Sequence, residues 1–168
     1  MRPLSRVAFR TRITAGGNPM KPVDTIESVL KRKSRQVWSV EPTAMVFEAI
    51  QKMSDKGIGA LLVMSNGRLD GIISERDYAR KVILKDRSSK RTQVREIMTS
   101  LVMVVTPQDT VQECMRLMTE HRIRHLPVMD GDKVVGVVSI GDMVNWTIQS
   151  HEETIGQLEG YIAGKYPG

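Results

Sequence analysis

The sequence predicts a mixed α/β (α+β) fold made of two copies of one β-α-β-β-α unit, and two observations carry the prediction. Sliding the chain against itself by 65 residues aligns 37–77 with 102–142 without a gap and returns thirteen identities, among them Pro42/Pro107, Met53/Met118, Gly71/Gly136, Ser74/Ser139 and Asp77/Asp142. Chance gives about two or three in such a span at ordinary residue frequencies, so the unit is a duplication. Within each copy the apolar period also changes from that of a strand to that of a helix and back.

Residues 1–22 read as a flexible basic arm, 23–84 as the first repeat, 85–93 as a polar linker, 94–150 as the second repeat and 151–168 as a C-terminal helix and tail. A short apolar helix leads into each repeat, on Ile26, Val29 and Leu30 in one and Val94, Ile97 and Met98 in the other. The first strand (VWSV, VMVV) stops at Glu41-Pro42 or Thr106-Pro107, because proline has no N–H to give to a ladder. The helix that follows carries Val46, Ala49, Ile50 and Met53 on one face, matched by Val111, Cys114, Met115 and Met118, all spaced i, i+3, i+4, i+7.

Two strands around a tight turn come next: ALLVM, Ser65-Asn66-Gly67 and LDGIIS in the first copy, HLPVM, Asp130-Gly131-Asp132 and KVVGVVS in the second. A last helix opens at Ser74 or Ser139. Its apolar positions, Tyr78, Val82 and Ile83 or Met143, Val144 and Trp146, read as a homodimer face. Residues 151–163 (HEETIGQLEGYIA) place Ile155, Leu158 and Ile162 on one side of a helix suited to cover a core edge or bind a second subunit.

Composition narrows the function classes. No apolar run approaches the roughly 18 residues of a membrane span, which points to a soluble, cytoplasmic protein with no membrane partner. Cys114 is the single cysteine. It excludes an internal disulfide, and with nothing basic at i±3 or i±4 it reads as a buried small hydrophobe. The net charge of +6 resides mainly in the arm, where Arg2, Arg6, Arg10, Arg12 and Lys21 stand without an acid; the rest of the chain is close to neutral. Nucleic-acid binding through the arm and linker is therefore a minor alternative, and mitochondrial import is the alternative address. No Walker-type, dinucleotide-fingerprint, nucleophile-elbow or paired-cysteine motif occurs, so no catalytic apparatus is expected.

SERD (74–77) and SIGD (139–142) stand where a strand hands over to a helix. Serine there caps the first turn, and an aspartate three residues on complements the positive end of the helix dipole. The glycine three residues before each serine, Gly71 or Gly136, reads as space left for a flat ligand. A helix N-terminus with a nearby carboxylate suits a nucleotide, since the carboxylate accepts from a ribose diol.

The double G-x-x-S-x-x-D element (GIISERD, GVVSIGD), RHLPV at 124–128 and the duplication together resemble the tandem cystathionine beta-synthase (CBS) domain pair, over about residues 24–150. The resemblance implies two repeats packed pseudo-symmetrically through their sheets, with AMP, ADP, ATP or NAD(H) in the clefts between them. It implies Asp77 and Asp142 on ribose hydroxyls and Ser74 and Ser139 near ribose or phosphate. The adenine would lie against Val37, Val40 and Ile58, or against Val102, Val105 and Ile123. Arg124 and His125 would face phosphate. The first copy has Gly59 and Ala60 at those two positions, so Arg76 and Arg80 are its phosphate candidates and the two pockets are expected to be unequal. His121 and His125 stand four apart, but Pro127 puts His125 in a strand, and no metal site is expected. The implied protein is a homodimeric sensor whose nucleotide shifts the repeats, acting on an enzyme in trans; the alternative is an interaction module with empty pockets.

Overall fold

The computed structural model describes residues 7–8, 24–34 and 36–162. A short strand, β1 (Val7–Ala8), is followed by α1 (Ile26–Arg32), β2 (Ser39–Val40), α2 (Val46–Lys56), the hairpin β3 (Ala60–Ser65) and β4 (Arg68–Ser74), and α3 (Glu75–Lys81). The second copy runs β5 (Val102–Met103), α4 (Val111–His121), β6 (His125–Asp130), β7 (Lys133–Ser139) and α5 (Ile140–Ile162). The rest of the basic arm lies outside the described residues; Val7 and Ala8 pair in parallel with Val102 and Met103.

The duplication is visible in the register. β2 runs parallel to β3 with Val40 opposite Val63, and the same pairing recurs as a bridge between Val105 and Val128. β3–β4 and β6–β7 are antiparallel hairpins, each with an irregularity just after Val63 or Val128, whose partners are Gly71 and Gly136. The first hairpin turns on Asn66 (φ 50°) and Gly67 (φ 75°), the left-handed pair that matches the strand twist.

Each lead-in segment packs into the other repeat. Ile26, Val29 and Leu30 join Val111, Cys114, Leu126, Val138 and Met143 in the second repeat's core. Val94 and Ile97 join Val46, Met53, Leu61 and Ile73 in the first. Backbone hydrogen bonds stitch both exchanges, from Ile26 N to Asp109 O (2.8 Å) and from Val94 N to Ala44 O (2.9 Å). A third cluster, with Leu62, Leu69, Val102, Val104 and Met129, joins the two repeats.

Three expectations are corrected. Val82, Met143 and Trp146 are core residues, Val82 in the cluster of the first repeat and Met143 and Trp146 in that of the second; only Ile83 and Val144 of the expected dimer face are exposed. Residues 151–162 continue the SIGD helix without a break as the outer half of the 23-residue α5. The glycines of the paired motif hold no open face: a Cβ on Gly71 would meet Met98 Sδ at 2.8 Å and the Thr99 carbonyl oxygen at 2.9 Å, and one on Gly136 would meet Leu30 Cδ2 at 2.7 Å. They let the exchanged lead-in segments lie against the strands.

Candidate functional site

Both S-x-x-D turns close as reciprocal caps. Ser74 Oγ accepts from Asp77 N (3.2 Å), while Asp77 Oδ2 accepts from Ser74 N (3.0 Å) and Ser74 Oγ (2.8 Å). Ser139 and Asp142 repeat the arrangement at 3.2, 2.7 and 3.0 Å. One oxygen of each carboxylate is thus committed to the helix start, as a capping box requires.

The other oxygens differ. Asp77 Oδ1 pairs with Lys81 Nζ at 2.8 Å, one turn along its own helix, and that ammonium also donates to the Ile97 carbonyl at 2.7 Å. Asp142 receives its lysine from outside: Lys33, just after α1, donates to Asp142 Oδ2 at 2.7 Å and to the Val137 carbonyl at 3.0 Å. Asp142 Oδ1 has no protein donor among the described residues.

A cavity of about 290 Å³ opens beside Asp142. Its polar end is Asp142, Ser139, Lys33 and His125; the second repeat adds Val137. The first repeat supplies the apolar wall, from Trp38, Ile58, Leu61, Leu62 and Ile72, with Gly57, Gly59 and Ala60 at the start of β3 and Gln36 closing the edge. Both repeats therefore build one chamber. Burial pushes the His125 pKa below its ordinary value, with Lys33 and Arg124 adding to that effect and Asp142 opposing it, so the ring is neutral at pH 7.

Of the residues singled out in the sequence, Ile58, His125, Ser139 and Asp142 meet in this cavity. Val102 and Val105 are buried in the core, and Val37, Val40 and Ile123 are half-buried against it. Arg124 and Arg80 are exposed, and the exposed Arg76 spans the repeats by donating to the Arg122 carbonyl at 2.7 Å. Among the described residues no group of three or more histidines, cysteines or acids is placed to hold a metal.

Sequence reasoning missed Lys33 and Trp38. The signal for Lys33 is a slip in the repeat: the strands match at an offset of 65, but Ile26, Val29 and Leu30 match Val94, Ile97 and Met98 at 68. Three extra residues after α1 adjoin Lys33, whose counterpart at that offset is the exposed Leu101.

Comparison with known proteins agrees with this architecture. The family model for the CBS domain matches residues 26–84 and 94–148. The Arabidopsis thaliana protein named "CBS domain-containing protein CBSX3, mitochondrial" is 41% identical over an alignment of 152 residues that covers 84% of this chain and 73% of that protein. A solved CBS-domain protein from Burkholderia ambifaria is 52% identical with a TM-score of 0.73, covering 74% of this chain and 94% of its own. The CBS domain pair of protein MJ0100, solved with 5′-methylthioadenosine and S-adenosyl-L-methionine, shares the fold at 23% identity and a TM-score of 0.68, over 77% of this chain and 99% of its own.

Proposed function

Because this chain belongs to the CBS-domain family, we propose that it is a regulatory binding module, not a catalyst, and that the Asp142 cavity receives the adenosine part of AMP, ADP, ATP or NAD(H). The observation that carries the reading is the uncommitted Oδ1 of Asp142, at the polar end of a chamber whose apolar wall comes from the other repeat. Ribose hydroxyls donate to that oxygen, and the purine lies among Trp38, Ile58 and Ile72. About 290 Å³ stands at the lower edge of the roughly 300–1,000 Å³ of ligand pockets, room for a nucleoside or mononucleotide. The relative solved with adenosine compounds supports the ligand class.

On the Asp77 side both carboxylate oxygens are engaged, so any site built on Ser74 and Asp77, with Arg76 and Arg80 for phosphate, is proposed as the weaker of the two. Occupancy of the first cavity shifts the two repeats only if the ligand binds one arrangement more tightly than the other. A homodimer acting on an enzyme in trans is the proposed output. The exposed Val144, Ile148, Ile155 and Leu158, spaced four, seven and three along α5, supply its apolar stripe. Cytoplasm is the proposed compartment, and the mitochondrial alternative draws support from the Arabidopsis relative.

Calorimetry of the full chain with the four nucleotides tests the reading. Binding is expected, and Asp142→Ala should weaken it by about tenfold or more, the worth of a hydrogen bond to a charged group. No heat with any of them favours the empty interaction module, a reading supported by the complete capping boxes at both turns.

A further inference from the structure

Resting on that assignment of the cavity, we propose that Lys33 is a specificity residue: it makes the site prefer a phosphorylated adenosine over the bare nucleoside. Lys33 is the cation in the cavity wall, and its ammonium has three hydrogens to donate. Two go to Asp142 Oδ2 and the Val137 carbonyl. The third has no protein acceptor among the described residues, and the side chain is only half-buried, so that N–H is open to a ligand. A nucleotide whose ribose sits on Asp142 brings its phosphate toward the same polar end. There the carboxylate alone would repel it.

The other groups at that end cannot relieve the repulsion by themselves. His125 is neutral at pH 7 and offers a hydrogen bond without a charge. Arg124 is exposed and does not line the cavity. The N-terminus of α5 contributes a partial positive charge, but Asp142 already occupies it. Lys33 is the full positive charge that remains.

The duplication shows that the fold does not need the lysine to come from this position. In the second copy the matching position is the exposed Leu101, and the matching aspartate takes Lys81 from its own helix. Lys33 also lies outside G-x-x-S-x-x-D, on a connection three residues longer than its counterpart. The extra length lets the chain leave α1, touch Val137 and Asp142 in the second repeat and still return to β2 in the first.

The test is calorimetry of the full chain with AMP and with adenosine, for wild type, Lys33→Met and Lys33→Arg, after circular dichroism has shown that each variant is folded. Wild type should bind AMP roughly ten- to hundredfold more tightly than adenosine, the range one charge-assisted hydrogen bond supports. Lys33→Met should shrink that preference to about threefold or less while adenosine affinity changes little, and Lys33→Arg should keep most of it. An unchanged AMP preference in Lys33→Met overturns the proposal. So does an equal loss of both ligands, which marks Lys33 as a prop for Asp142. If Lys33→Met does not fold, Lys33→Gln is read by the same criteria. Failure of wild type to bind either compound overturns the assignment of the cavity itself.

Discussion

Replacing Gly136 with alanine separates two explanations of the paired glycines. The added Cβ would lie 2.7 Å from Leu30 Cδ2 and 3.1 Å from Leu30 Cδ1, where carbon pairs rest at about 3.5–4.0 Å. Leu30 is 3% exposed, so its side chain has little room to turn aside from the new methyl. Overpacking of this kind costs about 1–3 kcal/mol. Gly71→Ala belongs at the upper end of that range, because its Cβ meets the Thr99 carbonyl at 2.9 Å and that backbone is fixed by reciprocal hydrogen bonds to Ile72 at 3.0 and 2.9 Å. Urea unfolding of the ligand-free protein reads the effect directly. The same loss should lower Tm by roughly 2–12 °C in a chain of this size. Leu30→Ala alone should cost about 2–5 kcal/mol, and the double variant less than the sum, by about 0.5–3 kcal/mol, since the new methyl fills part of the cavity that Leu30 leaves. Wild-type stability in Gly136→Ala together with lost nucleotide affinity would refute the packing account and restore the glycine to the ligand.

Three further outcomes follow from the same geometry. Burial pushes the Cys114 thiol up to about 12, so a maleimide should label the protein only after denaturation, as mass spectrometry would show. His125 is held neutral in the folded state, so as pH falls below the ordinary value of 6.5 the unfolded chain takes up the proton first. Its contribution to stability is complete above about pH 6.5 and declines below it; urea midpoints between pH 7 and 5 should fall more steeply in wild type than in His125→Gln. Ser74→Ala removes a cap on α3 and should cost about 1 kcal/mol in chemical denaturation, with Ser74→Gly costing only a few tenths.

Local chemistry was legible in the residues. The apolar run ALLVM and the segment LDGIIS on either side of Asn66-Gly67 read as a hairpin, and Ser74 and Ser139 announce helix starts through their own side chains. What stayed hidden is which partner a face chooses. Ile26, Val29 and Leu30 make an apolar stripe as good as that of Val94, Ile97 and Met98, and nothing in either stripe says that each is buried by the other repeat. Trp146 misled for a related reason. An aromatic late in a helix reads as surface for a partner, yet here it is 5% exposed, with Arg32 stacked 4.6 Å from its ring and Asp24 accepting from its indole N–H at 3.1 Å. Both contacts come from residues more than a hundred positions away, beyond the reach of any local period.

The exchange of lead-in segments also explains why the cavity forms where it does. Since α1 docks on the second repeat while β2 belongs to the first, the residues between them must cross from one to the other. Lys33 therefore lands beside Val137 and Asp142, and Trp38 lands beside Ile58 and Leu62. The corresponding segment of the second copy crosses later: Thr99 still pairs with Ile72 on the first repeat, and Val105 then reaches Val128 on the second. A molecule in the Asp142 cavity would thus touch both repeats and the connection between α1 and β2 that ties them. Arg32, on the same strap, also reaches Glu153 in the outer half of α5 at 3.4 Å, beside the exposed apolar stripe. If Lys33 meets the ligand as proposed, its movement on binding would pass through one peptide bond to Arg32, and so to the helix proposed as the partner surface.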